Sequence, residues 1–281
     1  MFQRMTEKGK YRLLWQIGVI ISIFLYFSGI SSIYIFFRKV VLKKYRTIIL
    51  TYHRVRDDGE YPDITVTSQN FDKQLIYLRE HFDVIPALEA VKSSQNGRPQ
   101  NNDRASITFD DGYKDNYSKA FPLLKHQQIP ATIFLISDQV GKSDDMLSIK
   151  EINSMKSHQI DFGSHTVNHS ILSELDVEAV IHEIHHSKQD LETLLQLKIS
   201  LFAYPKGKQR HYNGTAKSEL QKAGYLAAFT AENGAVEKSD DIYELKRIGI
   251  RNCPLFVFKV RVSGLYESWP VLYIRNLLNM T

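Results

Sequence analysis

The sequence predicts an α/β fold, a parallel sheet or barrel covered by helices, behind one N-terminal transmembrane helix. Two patterns carry that prediction. From Ala105 onward, short apolar runs alternate with helical patterns, as chains built of successive βα units do. Near the N-terminus, the stretch from Leu13 to Phe37 holds no charged residue, and a helix of about 20 apolar residues spans a bilayer core. Together they divide the chain into a basic tail (1–12), an anchor helix (13–37), a basic juxtamembrane linker (38–46) and a single domain (47–281).

The anchor is expected to stay attached. A cleaved signal peptide has a shorter apolar run, about 7–15 residues, ending at a small-residue site, and no such site follows here. Charge agrees with this division. Residues 1–46 carry nine Lys or Arg and one Glu, while the remainder of the 281-residue chain is net −3. The overall +5 therefore flanks the apolar segment, and the domain offers no cationic field for nucleic acid. Basic residues stand on both sides of the segment, so charge does not orient it; the domain is placed outside the cell on functional grounds. The one cysteine, Cys253, excludes an intramolecular disulfide and reads as a packing residue.

Taken in order, "TIILTYH" (Thr47 to His53) reads as a buried strand. "SQNFDKQLIYLREHF" reads as a helix capped by Ser68, with Phe71, Leu75 and Leu78 on its inner face. "KSSQNGRPQNND" (Lys92 to Asp103) is a surface loop by composition. "ASITF", "ATIFLI", "IDFGS", "SLFAY" and "LAAF" are the following strands, and "SIKE" at Ser148 opens a helix with a capping box. Active sites of such folds gather at the carboxyl ends of the strands.

Two histidine pairs compete for a metal. "HEIHH" (His182 to His186) fits the H-E-x-x-H pattern of zinc proteases. However, Val177, Val180, Ile181, Ile184, Leu191, Leu194 and Leu195 define that helix's apolar stripe, which puts His182 and His186 on the opposite, solvated side. A zinc-protease helix needs both imidazoles turned inward, with a third ligand at hand. "GSHTVNH" instead places His165 and His169 just beyond a strand end, one helical turn apart. In "SITFDDGY", Asp110 and Asp111 end another apolar strand. One carboxylate would complete a His-His-Asp set and its neighbour would remain as a base; the spacing alone does not say which does which.

These motifs, in this order, resemble those of the polysaccharide deacetylase family (NodB-like, carbohydrate esterase family 4). "TFDDGY" is similar to its first motif, "SHTVNH" to its H-[ST]-x-x-H motif and "FAYPKG" to its F-R-x-P-x-G motif, and the likeness runs from Thr47 to Asn252. It implies a distorted (β/α) barrel of fewer than eight strands. It also implies Asp111, His165 and His169 as ligands of a divalent ion, commonly zinc, with Asp110 as general base. Two departures stand out. The motif arginine is Ala203 here, with Lys206 or Arg247 as candidate substitutes. The family's late general-acid histidine is missing, since only His211 follows Gly207. "LTYHRV", the arginine-less "FAYPKG" and "YELKRIGI" resemble a subgroup that deacetylates poly-N-acetylglucosamine in biofilm matrix, where an early Tyr-His takes the late histidine's place; this nominates His53 as general acid.

The resemblance thus implies hydrolysis of N-acetyl groups on an extracellular glycan. The backbone N–H of Lys206 would face the oxyanion, and the turn Tyr204, Pro205 and Lys206 would contact substrate. Tyr113, Tyr204 and Trp269 are candidate sugar-stacking rings, and 269–280 a terminal amphipathic helix. Removal of O-acetyl groups, or glycan binding without turnover, would use the same frame.

Overall fold

The computed structural model describes residues 7–95 and 100–265; Trp269 and the expected helix at 269–280 lie outside them. Among the described residues ten strands are present: β1 (Thr47–Tyr52), β2 (Arg54–Val55), β3 (Thr65–Val66), β4 (Asp83–Val84), β5 (Arg104–Phe109), β6 (Ala131–Leu135), β7 (Ile160–Ser164), β8 (Leu201–Ala203), β9 (Ala227–Phe229) and β10 (Ile248–Gly249). Eight of them form one sheet in the order β10-β1-β5-β6-β7-β8-β9, with β4 also paired to β5. Every pairing in it is parallel. β2 and β3 pair separately.

The sheet is a curled half-barrel whose inner strands are buried on both faces, as parallel strands covered by helices must be. All six residues of β1 are buried, and Ile48, Ile49 and Leu50 have no exposed surface. Burying each such side chain contributes about 1.5–3 kcal/mol. Ile49, Phe134, Leu201, Phe229 and Leu245 share one core cluster. The segment after β9 links the two edges of the curl. Leu245 bridges to Phe229, the last residue of β9, and three residues later Ile248 pairs with Leu50 of β1. Arg247, between these contacts, is buried to 1% exposure.

Most expected elements are where the sequence puts them. The capping box at Ser148 is complete, with its hydroxyl accepting from Glu151 N–H and the Glu151 carboxylate accepting from Ser148 N–H. Two details differ. Thr67, not Ser68, caps the helix Ser68–His81 by accepting from Asn70 N–H, because the Ser68 hydroxyl and amide are both donated to Asp57. The loop expected from Lys92 begins later, since a helix continues through Gln95 and buries Ser93.

The chain divides into two compact units, residues 45–252 and a second made of 1–44 with 253–281. The helix Leu255–Ser263 therefore groups with the N-terminal helices rather than with the sheet. In that second unit the expected single helix over 13–37 is broken. Glu7–Phe27 is one helix and Ile30–Phe36 another, with Gly29 between them at φ 79°. Their apolar parts meet at 68°, and among the described residues no single helix is long and apolar enough to cross a membrane. Leu25, Val260 and Leu265 form this unit's own small core. Cys253 is a buried free thiol whose pKa burial pushes up to about 11.

Candidate metal centre and active site

Because the strands are parallel, the residues just past their carboxyl ends share one rim. Tyr52 pairs with Phe109, so His53 and Asp110 come next on neighbouring strands, and Asp110 N–H donates to Tyr52 O at 3.0 Å. Leu135 pairs with Ser164, and His165 N–H donates to Leu135 O at 2.8 Å. The loops that leave this rim are bent by unusual backbone. Nine described non-glycine residues have positive φ; four of them, Asp111, Thr166, His169 and Lys206, lie in the three motif loops. Such conformations cost about 1–3 kcal/mol each and persist where surrounding contacts over-determine them. Gly112 also has positive φ, and a Cβ there would meet Leu135 Cδ2 at 2.6 Å, so glycine suits the position immediately after the carboxylate pair.

Asp111, His165 and His169 converge, with one ligand atom from each lying within 4.8 Å of the others. Asp111 Oδ1 stands 3.4 Å from His165 Nε2 and 3.3 Å from His169 Nε2. Ligand atoms about 2.0–2.2 Å from a tetrahedral ion are themselves about 3.4 Å apart, which is this spacing. Asp111 Oδ1 is buried and makes no hydrogen bond. His165 Nδ1 lies 2.7 Å from Ala203 O; as the donor of that bond it leaves Nε2 for the centre. An orphaned carboxylate oxygen between two imidazole nitrogens fits a divalent cation, so these three residues are able to bind a metal.

Electrostatics follow the geometry. Burial raises the Asp111 carboxyl, but the imidazoles of His165, His53 and His169 outweigh it and hold the group below the usual carboxylate range. Burial likewise works against the charge on Asp110, and Arg247, joined by His165 and His53, more than offsets it. Arg247 Nη1 and Nη2 donate to the two carboxylate oxygens of Asp110 at 2.7 and 2.8 Å. Arg247 Nε donates to Thr230 O at 2.9 Å. The charge missing at Ala203 is thus supplied by Arg247 rather than Lys206, whose side chain is exposed. For His169, burial and the neighbouring His165 push the pKa down to about 4.

His53 is half-buried, and its charge is felt by both Asp110 and Asp111. The loop after the first motif holds its backbone on both sides. Asn116 Nδ2 donates to His53 O at 2.8 Å, and Val55 N–H donates to Asp115 Oδ1 at 2.9 Å. Arg54, 1% exposed, donates from Nε to Asp115 at 2.8 Å and lies 4.0 Å over the Tyr113 ring.

The substrate-contact turn divides. Lys206 is exposed and Pro205 buried. Tyr204 is 1% exposed, stacks on Tyr212 at 4.2 Å and donates its hydroxyl to Tyr243 O at 3.0 Å. It is therefore a core ring closed to a sugar, contrary to the expectation from its motif position. His182 and His186 are exposed, and among the described residues the Asp111, His165 and His169 group is the one of three with metal-ligating geometry. Sequence reasoning missed Glu183, which sits between those histidines but is buried to 5% exposure. Its spacing of three from Val180 and four from Ser187, both fully buried, is the signal that it shares their face.

The chain is similar to known proteins over most of its length. The sequence model described as polysaccharide deacetylase matches residues 97–228. The poly-β-1,6-N-acetyl-D-glucosamine N-deacetylase of Staphylococcus aureus is 28% identical, over 82% of this chain and 88% of that protein. Among solved structures, IcaB from Ammonifex degensii superposes with a TM-score of 0.69 at 26% identity, covering 78% of this chain and 97% of that one. The deacetylase PplD of Streptococcus pyogenes, in complex with acetate, gives 0.68 at 26%, covering 73% and 92%. Over residues 97–228 the chain matches the polysaccharide deacetylase family, and these relatives carry the likeness over most of its length.

Proposed function

We propose that this protein is a metal-dependent hydrolase that removes N-acetyl groups from N-acetylglucosamine residues of a cell-surface or extracellular polysaccharide. The observation that carries the reading is the meeting of three ligand atoms from Asp111, His165 and His169 beside a second carboxylate, Asp110, fixed by Arg247. A divalent ion, zinc by its donor set, would act as Lewis acid on the acetyl carbonyl and lower the pKa of water at the site.

Asp110, kept ionised by Arg247, accepts the proton of the attacking water as general base. The N–H of Lys206, a residue with left-handed backbone, would donate to the oxyanion. His53 carries the proton to the leaving amine, as a positioned imidazole can do as general acid. Acetate and a free glucosamine nitrogen result. The subject of the S. aureus relative's name, poly-β-1,6-N-acetyl-D-glucosamine, makes that polymer the first substrate to try. The apolar helices of residues 7–41 anchor the enzyme to the cell membrane, with the sheet unit outside.

Acetate release from N-acetylated and O-acetylated glycans, with and without chelator, tests the reading. Release from the N-acetylated polymer alone, lost on chelation and restored by zinc, is the expected result. Release only from O-acetylated glycan reassigns the enzyme as an esterase, and none from either leaves a glycan-binding protein.

A further inference from the structure

The Glu183 carboxylate is buried, and the whole of it is spent on the loop between the two histidine ligands. Oε2 accepts from Val167 N–H at 2.9 Å and from Asn168 N–H at 3.0 Å. Oε1 accepts from Asn168 Nδ2 and from the Ser170 hydroxyl, both at 3.0 Å. These donors lie between and just after His165 and His169, in a loop whose Thr166 and His169 have φ of 69° and 60°. Left-handed backbone at two non-glycine residues needs outside support. A carboxylate that takes two consecutive backbone N–H groups gives it, through charge-assisted bonds that a neutral acceptor matches poorly. Among the described residues Glu183 forms no ion pair, so a surface salt bridge does not account for its burial. The turn that carries it, His182–His186, is a π-helix inserted between two α-helical stretches, and such insertions re-aim side chains.

We infer that Glu183 is a positioning residue that sets the separation of His165 and His169, and through it the metal affinity of the site. The glutamate of "HEIHH" therefore serves a metal centre from behind, through the backbone of the neighbouring loop, while the histidines on either side of it face solvent. This inference rests on the reading that Asp111, His165 and His169 hold a divalent ion.

The test is zinc affinity of the metal-stripped full-length protein, measured by competition with a chromophoric chelator, with thermal unfolding of the same metal-free samples. Glu183→Ala is expected to weaken zinc about 10–100-fold, the usual effect of removing an outer partner of a metal ligand. Glu183→Gln keeps a neutral acceptor for the two backbone N–H groups but loses the charge, and should recover only part of that loss. Asn168→Ala with Ser170→Ala leaves Glu183 in place, removes its two side-chain donors and should weaken zinc several-fold; this variant decides the matter if Glu183→Ala does not fold. His182→Ala with His186→Ala should match the wild type. A folded Glu183→Ala with wild-type zinc affinity overturns the inference. So does a Glu183→Ala that binds zinc weakly only in proportion to its loss of folded protein. Wild-type protein with no saturable zinc binding overturns the site reading itself, and the inference with it.

Discussion

Arg247 grips Asp110 through both carboxylate oxygens, at 2.7 and 2.8 Å, from a segment 137 residues away in the chain. The two side chains are 1% and 6% exposed, so each removes the other's desolvation problem. The arginine that the third motif normally offers from β8 is absent here, and the same charge reaches the same carboxylate from beside β10. What the site needs is a buried fork of donors at Asp110, and the strand that provides it can differ.

Removing that fork strands a buried carboxylate. Arg247→Ala is expected to cost about 3–5 kcal/mol of stability, and Arg247→Lys to restore little of it, because an ammonium cannot reproduce two parallel N–H···O bonds. The sign for catalysis follows from the shift. Arg247 holds the Asp110 carboxyl low, so its loss raises that pKa and moves the acid limb of kcat/KM to higher pH. Urea unfolding together with a pH–rate profile checks both effects; an unmoved acid limb would remove Asp110 from the base role or Arg247 from tuning it.

Metal binding should release a proton. Burial opposes charge on His165, but the carboxylates of Asp110 and Asp111 prevail and hold its pKa above the ordinary value, whereas His169 is pushed down to about 4. An ion takes only the neutral imidazole. Above pH 6, His169 therefore gives up no proton, and His165 gives up one until pH passes its raised pKa. Zinc affinity should climb with pH through the window above 6.5 and then level off. The same shift makes the proton on His165 stabilising in the metal-free protein below 6.5, a contribution lost as pH rises through the folded value. Calorimetric zinc titrations in buffers of different ionisation heat measure the protons released; a count near zero at pH 6.5 would contradict the account.

His53 is proposed as the proton donor, and the bonds about its backbone say how it is aimed. His53→Ala should lower turnover by about 10²–10⁴-fold while bound metal stays stoichiometric. Asn116→Ala, which frees the His53 carbonyl, should lower kcat by a smaller factor and leave zinc affinity unchanged. Metal analysis beside steady-state kinetics separates the two sites, and a His53→Ala variant with wild-type turnover would return this histidine to packing.

The parts of the site legible in the sequence are those carried by short contiguous motifs at the ends of strands. Asp110 and Asp111 follow one apolar run and His165 another, and the parallel sheet does the rest. Arg247 was one of two candidates, because a charge beside a two-residue strand carries no periodic signal and its partner is fixed by tertiary closure. Glu183 was hidden by its neighbours, since an acid between two exposed histidines looks solvated until the π-helical turn places it. Tyr204 misled for the opposite reason: its motif is a site motif, yet the strand's alternation points that ring into the core against Tyr212. The broken anchor was not legible at all, as Ser28 and Gly29 sit in an apolar run that reads as continuous.

That break sets the last expectation. The stretch Trp15–Phe27 rises about 20 Å at 1.5 Å per residue, short of a hydrocarbon core of about 30 Å. Yet the surface of these helices is strongly apolar, with Ile20, Phe24, Phe27 and Ile33 each more than 60% exposed. Water does not favour such a surface on a folded protein, and the nearby Lys43 and Lys44, both exposed, suit an anionic headgroup layer. The full-length protein is therefore expected to sediment with membranes, to resist extraction by 1 M salt, which screens charge to about 3 Å, and to come off in mild detergent. Release by salt alone would mean the contact is electrostatic and the apolar faces are covered by something other than lipid.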